Sequence, residues 1–321
     1  MVNFSYNKDT EKDCDPFGNN PNTYEGAKSD EKIYIAVAGI VAVVTAGAGL
    51  FTASQAFVKQ AYVQLSVVGE VSVLLTAEID GQRIREKTQL CLSNPDVLEL
   101  VKQRVLEELR KQPDSMLFSV SQDDNYNGCT CEKCRAFDEA EGSMAGSMIR
   151  FVNRVAEAIE PEFPDVVIDT LAYQYTRKPP KYIRPRHNVS VRLCSIECCF
   201  VHPLRVCRTD DPDAPNIALS QPFAEDLIGW GKVCDRLYIW DYVTNFSYYV
   251  PTFPNFSVLR QNMRFFAEHG VKGMYPEGNY NSEYSGEFGE LRCYLLAKLM
   301  MDPYRSTTDY YRYMDEFLAA Y

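Results

Sequence analysis

The sequence contains few of the residues on which several function classes depend. Lys and Arg total 33 against 44 Asp and Glu, which gives a formal net charge of −11, and no basic stripe runs along the chain. Phosphate binding relies on clustered cations, so this balance argues against nucleic acid as a partner. With only 3 histidines, a histidine-rich metal site is not expected. A Ser-His-Asp order, a P-loop and a glycine-rich dinucleotide fingerprint are also missing from the sequence.

The cysteine pattern does not describe a disulfide scaffold. The 11 cysteines are an odd number and are spread from Cys14 to Cys293 without the spacing of a small disulfide-rich domain. The exception is the local cluster CTCEKC, which holds Cys129, Cys131 and Cys134.

The CTCEKC cluster has three interpretations that the sequence leaves open. A Cys-x-x-Cys pair suits structural zinc or a loop-bracing disulfide, and the thiols could also be free. A structural zinc site needs a fourth ligand, and no second pair follows at the usual spacing. The candidates for that ligand are Cys198, Cys199 and His202. We expect no cofactor apart from such a zinc ion.

Composition and length suit one large α/β domain. The chain has 321 residues with 46% hydrophobic content, and an α/β barrel needs about 250 residues. The sequence contains 21 Tyr and 17 Phe. In one interpretation these rings pack in the core; in the other, rings that lie beside carboxylates bind a sugar ligand.

Two segments precede the expected domain. Residues 1–32 are polar and lack a hydrophobic period, which predicts a disordered tail. Residues 33–54 carry no charge, and about 20 apolar residues suffice to cross a bilayer as a helix, so a membrane anchor is one hypothesis. The alternative is a buried, Val-rich β or loop segment. No basic region precedes the segment, so it is not a standard cleavable signal peptide.

From Asn94 onward, helical and strand patterns alternate. This alternation predicts βαβ units and a parallel sheet, in a (β/α)8 TIM-barrel-like fold over 75–303 that is incomplete at its N-terminal strands. Residues 304–321 begin a C-terminal helical extension. Either the first strands are hidden in 33–82 or the barrel lacks them. The five legible strands are 116–125, 165–176, 188–200, 236–246 and 271–280, with helices from Pro95 and over 142–160, 222–234, 256–269 and 286–301. We expect burial of Phe118, Val120, Ile168, Val191, Leu193, Tyr238, Ile239 and Met274.

The predicted strands end in carboxylates and aromatic rings. Active sites of parallel barrels lie at the carboxyl ends of the strands, and glycoside hydrolysis uses two carboxylates with different protonation states. The candidate catalytic residues are Asp123, Asp124, Glu197 and Glu277. The candidate sugar-binding residues are Tyr173, Tyr175, Trp240, Tyr242 and, more weakly, Asp241. Tyr173 and Tyr175 share a face if the strand is extended through both.

Long motifs resemble the bacterial family known as domain of unknown function 4838. The motifs are QLCLSNPDV (89–97), FSVSQDDNYNGCTCEKC (118–134), FVNRVAEAI (151–159), DTLAYQYTRKPP (169–180), NVSVRLCSIECCFVHPL (188–204), YIWDYVTNF (238–246), VKGMYPEGNY (271–280) and EFGELRCYLLAKLMMDP (287–303). That family is similar to barrel glycosidases of the α-glucuronidase and β-hexosaminidase kind.

The resemblance implies a glycosidase-like barrel that acts on or binds polysaccharide outside the cytoplasm, as a secreted, periplasmic or membrane-anchored protein. In the related glycosidases the acid follows the fourth strand, and Asp124 matches that position, with Asp123 its neighbour. The first barrel strands of the family are not recognisable in residues 1–74. Three hypotheses follow: a glycoside hydrolase, a non-catalytic carbohydrate-binding barrel, and a membrane-tethered structural domain. The first of them expects Asp124 and Glu277 to open onto one pocket.

Overall fold

The computed structural model describes residues 33–37, 40–44, 60–64, 77–84, 87–198, 200–206, 223–278 and 286–320. The predicted tail over 1–32 lies outside the described residues, as do 38–39 and 45–54 of the uncharged segment. The strands are β1 (Ile33–Val37), β2 (Ile40–Val44), β3 (Gln60–Gln64), β4 (Ala77–Ile79), β5 (Gln82–Ile84), β6 (Leu117–Ser121), β7 (Val167–Ala172), β8 (Val189–Cys194), β9 (Leu237–Tyr242) and β10 (Val271–Glu277). The helices are α1 (Pro95–Lys111), α2 (Glu132–Glu141), α3 (Ala145–Ile159), α4 (Phe223–Val233), α5 (Phe256–Glu268), α6 (Gly289–Met301) and α7 (Thr307–Ala320).

Six strands form one sheet in which every neighbouring pair is parallel. Their order across the sheet is β10-β9-β8-β7-β6-β3. Strands β6 to β10 are the five that the sequence predicts. The sixth, β3, lies within 33–82, where a hidden strand was one of the two alternatives.

The predicted fold class is confirmed, since the chain is α/β and TIM-barrel-like with an incomplete barrel. Within the described residues, the outer strands β3 and β10 do not pair with each other, so the sheet is open. Two antiparallel pairs, β1 with β2 and β4 with β5, lie outside this sheet. Helix α7 occupies the residues where a C-terminal helical extension is predicted.

The uncharged segment forms strands where it is described. Strands β1 and β2 pair from Ile33 opposite Val44 to Val37 opposite Ile40. The alternative expectation of Val-rich β structure therefore holds at these residues. A search of the described residues finds no helix with the length and apolarity needed to cross a membrane.

The sheet buries one of its faces against the helices. Alternate residues of β6 to β10 belong to two apolar clusters, one with α1 and α3 and the other with α4, α5 and α6. Of the eight residues expected to be buried, only Tyr238 lies on the opposite face and is partly exposed. The buried seven are Phe118, Val120, Ile168, Val191, Leu193, Ile239 and Met274.

Capping residues determine where α1 begins and where α2 ends, next to the loops that follow the strands. The Asn94 side chain accepts a hydrogen bond from the backbone N–H of Asp96, and Pro95 is the first residue of α1. Helix α2, which is not among the predicted elements, ends at Glu141 and is capped by Gly142, whose φ of 65° favours glycine. The helix predicted over 142–160 is therefore α3 alone.

We expect Phe118→Ala to lower the free energy of unfolding by about 3–5 kcal/mol. The ring is 0% exposed in the cluster that joins the sheet to α1 and α3. Met116, two residues earlier, is 56% exposed, so the control Met116→Ala should change stability by less than about 0.5 kcal/mol. Urea unfolding followed by circular dichroism measures both, and equal losses would contradict the burial of this face.

Candidate active site at the strand ends

The sheet presents a polar face on the side opposite the two apolar clusters. Trp240 pairs in register with Tyr275, and Tyr242 pairs with Glu277. Because side chains at paired positions of neighbouring strands point to the same side, these four residues share a face. Met274 and Ile239, which alternate with them, pack in the apolar cluster. The polar face therefore ends, at the carboxyl edge of the sheet, in aromatic rings and a carboxylate.

Asp124 lies in the loop after β6 and is held by the segment after β7. The Tyr173 hydroxyl donates a hydrogen bond of 2.9 Å to Asp124 Oδ1, and Gln174 Nε2 lies 3.5 Å from the same oxygen. Gln174 Nε2 also donates to the Tyr173 hydroxyl at 2.9 Å. Burial and the Asp124 carboxylate raise the pKa of Tyr173, so the phenol remains a donor. Both contacts use Oδ1, which fixes the orientation of an exposed carboxylate.

Glu277 ends β10 and is held by the neighbouring strand. The indole Nε1 of Trp240 donates to Glu277 Oε2 over 2.6 Å. The Trp240 ring meets Tyr275 edge to face, with centroids 5.1 Å apart. The second carboxylate is thus positioned in the same way as the first, by an aromatic side chain with a polar donor.

The groups that raise the pKa of Tyr242 come from several strand ends. Burial is the largest cause of its raised pKa, followed by charge interactions with Cys194, Glu277, Tyr173 and Glu197. Those groups come from the ends of β7, β8 and β10. The strand ends therefore bring Tyr173, Tyr242 and Glu277 into one electrostatic neighbourhood, and Tyr173 binds Asp124 directly.

Glu197 is not exposed at this edge, which corrects the prediction of a catalytic carboxylate open to a ligand. Arg177 Nη1 lies 3.1 Å from Glu197 Oε2, and Arg177 Nε lies 2.6 Å from Asp226 Oδ2. All three side chains are buried. Burial raises the pKa of Glu197 while Arg177 opposes the shift. Glu197 therefore lies in a buried ion cluster with Arg177 and Asp226.

Asp241 is also buried rather than directed to a ligand, which corrects its assignment to sugar binding. It shares the face of Leu237 and Ile239, away from Trp240 and Tyr242. Its Oδ1 accepts a hydrogen bond of 2.6 Å from Ser195 Oγ. Burial raises the pKa of Asp241 to about 6, and the bond from Ser195 opposes the shift.

Tyr175 does not share a face with Tyr173. Strand β7 ends at Ala172, and Gln174–Thr176 form a 3-10 turn, so the period of two assumed for both tyrosines fails. The Tyr175 ring lies over Gly128, where an added Cβ would meet it at 3.2 Å. Tyr175 therefore braces the loop after β6 instead of extending the aromatic surface.

Asp123 is fixed through its backbone. Gln89 Oε1 accepts from Asp123 N at 2.9 Å, and Gln89 Nε2 donates to the carbonyls of Asp123 and Asn125 at 2.8 and 2.7 Å. Gln89 and Gln174, which position the two acidic neighbours, were not among the predicted site residues. The only indication of them in the sequence is that they lie within the motifs QLCLSNPDV (89–97) and DTLAYQYTRKPP (169–180).

The CTCEKC cysteines meet a fourth thiol that was not predicted. The sulfur atoms of Cys91, Cys129, Cys131 and Cys134 all lie within 4.8 Å of one another, and all four are free thiols. Hydrogen bonds from Cys129 and Cys134 hold the pKa of Cys91 well below its usual value. The fourth member therefore comes from before α1, whereas Cys198 packs in the core of α4 to α6 and His202 is exposed. Cys199 lies outside the described residues.

A cavity of about 500 Å³ lies elsewhere, among α1, α2 and α3. Its lining includes Lys133, Phe137, Arg150 and Arg154 and contains no carboxylate. It does not suit acid-base hydrolysis, which needs carboxylates.

We expect the difference in stability between Asp241→Asn and the wild type to depend on pH. The folded state binds the Asp241 proton more tightly than an unfolded carboxyl of ordinary pKa 3.8, so wild-type stability falls as pH rises through about 6. Asn keeps the hydrogen bond from Ser195 but does not ionise. The variant should therefore gain about 3 kcal/mol relative to the wild type between pH 4 and 7.

Denaturant unfolding across this pH range measures the difference. The exposed Asp315→Asn is the control and should show no such trend. A difference for Asp241→Asn that stays constant with pH would contradict the raised pKa.

Solved structures with similar folds include several carbohydrate-active enzymes. A GH5-4 broad specificity endoglucanase from Clostridum cellulovorans is 11% identical, with a TM-score of 0.38 and coverage of 65% of this chain and 64% of that one. The chain thus spans less than two thirds of that enzyme's length. A Bacteroidetes-affiliated GH5 cellulase linked with a polysaccharide utilization locus is 11% identical, with a TM-score of 0.40 and coverage of 68% and 69%. A GH18 chitinase from Pseudoalteromonas aurantia is 9% identical, with a TM-score of 0.33 and coverage of 62% and 70%.

A search of curated proteins finds no significant match. The family model described as Domain of unknown function (DUF4838) matches residues 75–321, which is more than half of the chain. The resemblance carried by the strand-end motifs is thereby confirmed, and the chain belongs to the DUF4838 family.

Proposed function

We propose that this protein is a glycoside hydrolase that acts on an oligosaccharide or polysaccharide outside the cytoplasm, with Asp124 and Glu277 as its two working carboxylates. One observation carries the proposal: Asp124 follows β6 and Glu277 ends β10, two strands of one parallel sheet, and each carboxylate is oriented by an aromatic donor. Tyr173 holds Asp124 and Trp240 holds Glu277. Hydrolysis of a glycosidic bond uses such a pair, one as acid and the other as base or nucleophile.

Asp124 takes the role of general acid or polarising group. Its Oδ1 accepts the hydrogen bond from Tyr173, and we assign the contact with the leaving oxygen to Oδ2. The phenol holds the carboxyl in one rotamer, which reduces the entropy lost when the leaving oxygen binds. The same role follows from the matching position in the family resemblance.

Glu277 takes the role of base or nucleophile. The indole N–H of Trp240 donates to its Oε2 and fixes the orientation of the carboxylate, which favours attack on the sugar or activation of a water. Its register opposite Tyr242 places the carboxylate beside an aromatic ring.

Aromatic rings beside Glu277 supply a surface for the sugar. Tyr242 stacks on Phe200 with centroids 5.6 Å apart and meets Phe246 edge to face at 5.5 Å. Tyr126, on the loop of Asp124, is 58% exposed. Flat apolar faces with polar edges suit sugar rings, which carry C–H groups on their faces and hydroxyls around their rims.

A non-catalytic carbohydrate-binding protein is the second candidate. The aromatic cluster around Tyr242 favours binding by itself, and binding needs no pair of carboxylates at a catalytic separation. In a hydrolase the two carboxylates cleave the glycosidic bond, whereas in a binding protein they would only contact the sugar.

We expect Asp124→Asn and Glu277→Gln each to reduce turnover about 10²- to 10⁴-fold with little change in sugar affinity, because each keeps its hydrogen-bond geometry but loses its titratable group. The measurement is reducing-sugar release from β-1,4-glucan, chitin and uronic-acid oligosaccharides, with aryl-glycosides as chromogenic probes. Asp315→Asn, on the exposed side of α7, is the matched control. Turnover that survives both substitutions would exclude this role, and binding without any turnover would favour the second candidate.

We expect Tyr242→Ala to weaken oligosaccharide binding by roughly 0.5–1.5 kcal/mol, the contribution of one aromatic contact. Tyr242→Phe keeps the ring and its stacking on Phe200, and should bind nearly as the wild type does. Isothermal titration with the oligosaccharide that the first screen identifies gives both values. Unchanged affinity in Tyr242→Ala would remove this ring from the sugar surface.

A further inference from the structure

Four sulfur atoms converge at a place that the proposed hydrolysis does not use. The sulfurs of Cys91, Cys129, Cys131 and Cys134 lie within 4.8 Å of one another. Zinc–sulfur bonds of about 2.3 Å in a tetrahedron give edges of about 3.8 Å. The Cys91 and Cys131 sulfurs are 3.8 Å apart. A disulfide would need these atoms about 2.0 Å apart, so the spacing fits ligands around one ion.

The surroundings of the sulfurs match those of a closed thiolate site. The backbone N–H of Glu78 lies 3.4 Å from the Cys129 sulfur, and Ser93 Oγ lies 3.3 and 3.4 Å from the sulfurs of Cys91 and Cys131. Such donors stabilise thiolate ligands and orient them. Cys131 is also the N-cap of α2, where the helix dipole favours negative charge.

The cluster contains only sulfur donors, with Cys129 and Cys134 buried and Cys91 and Cys131 partly exposed. Cys129 is 6% exposed and Cys134 is 2% exposed. Several thiolates held together away from water repel one another unless a cation compensates them. Sulfur ligands select zinc over magnesium or calcium, and four protein ligands leave no open position for a substrate.

We propose that Cys91, Cys129, Cys131 and Cys134 bind one Zn²⁺ ion as a structural site. The ion joins the segment before α1, which supplies Cys91, to the loop after β6 and the first turn of α2, which supply Cys129, Cys131 and Cys134; the β4–β5 hairpin packs beside it through the Glu78 N–H. Around it, Thr130 N donates to Glu78 O at 2.7 Å, and Gln89, two residues before Cys91, holds Asp123 and Asn125. The site therefore fixes the loop that carries Asp124 without taking part in chemistry.

This inference does not depend on the proposed hydrolysis, and metal analysis tests it directly. The full-length protein, purified untagged under reducing conditions, should contain about one zinc per chain by mass spectrometry of the metal. Cys91→Ser and Cys134→Ser should each lower the zinc content at least tenfold, since a hydroxyl is a poor zinc ligand. Cys293→Ser, which changes an exposed cysteine on α6, is the matched control and should keep the full content.

Measurements on the wild type keep the test decisive if a variant does not fold. Replacement of zinc by Co²⁺ should give the intense visible bands and thiolate charge-transfer absorption of a tetrahedral sulfur site. These four cysteines should resist alkylation until a chelator is added, and the chelator should also lower the melting temperature. Protein that contains no metal and does not take up Zn²⁺ would overturn the proposal. So would iron in place of zinc, or peptide mapping that finds disulfides among the four.

Discussion

The parallel register of the strands is the constraint on which the rest of the structure depends. It aligns the carboxyl ends of β6 to β10 along one edge and decides which side chains face the helices. A slip of one residue in β9 would turn Trp240 and Tyr242 into the apolar core and bring Asp241 to the polar face. The pairs Trp240 with Tyr275 and Tyr242 with Glu277 show which register is adopted. Leu237 and Ile239 pack against α4, α5 and α6, and this packing stabilises the observed register.

Below the carboxylate edge, buried charges are compensated in small groups. Arg177 joins Glu197 to Asp226, and Arg192 pairs with Asp169 at 2.9 Å. Buried ion pairs contribute little net stability, but removal of one partner is costly because it leaves a buried charge without compensation. Asp124 and Glu277 instead accept hydrogen bonds from the neutral donors Tyr173 and Trp240, and Asp124 is exposed while Glu277 is partly exposed.

The sequence predicted the sheet because its strands are apolar runs with local signals, and Phe118, Val191 and Ile239 are buried as those runs predicted. It did not predict contacts between distant segments. Cys91 lies 40 residues from Cys131, and no local pattern relates them. Glu197 was expected to face a ligand because it follows β8, and its buried partners Arg177 and Asp226 lie on other segments of the chain. Tyr175 was misplaced because a turn begins directly after β7. The apolar strand segments therefore predicted the parallel sheet. The burial and the partners of each polar side chain depended on contacts with distant segments, which the sequence does not reveal.

The separation of the Asp124 and Glu277 carboxyl groups around a bound sugar tests the central claim most directly. A crystal structure of the Asp124→Asn variant with an oligosaccharide gives that distance. A glycosidase requires the two groups on either side of a glycosidic bond, about 5 Å apart for retention of configuration or about 6.5–9.5 Å apart for inversion. We expect one of these values, with the ring of Tyr242 against the sugar. Side chains more than about 10 Å apart, or an oligosaccharide bound away from this edge, would contradict the assignment.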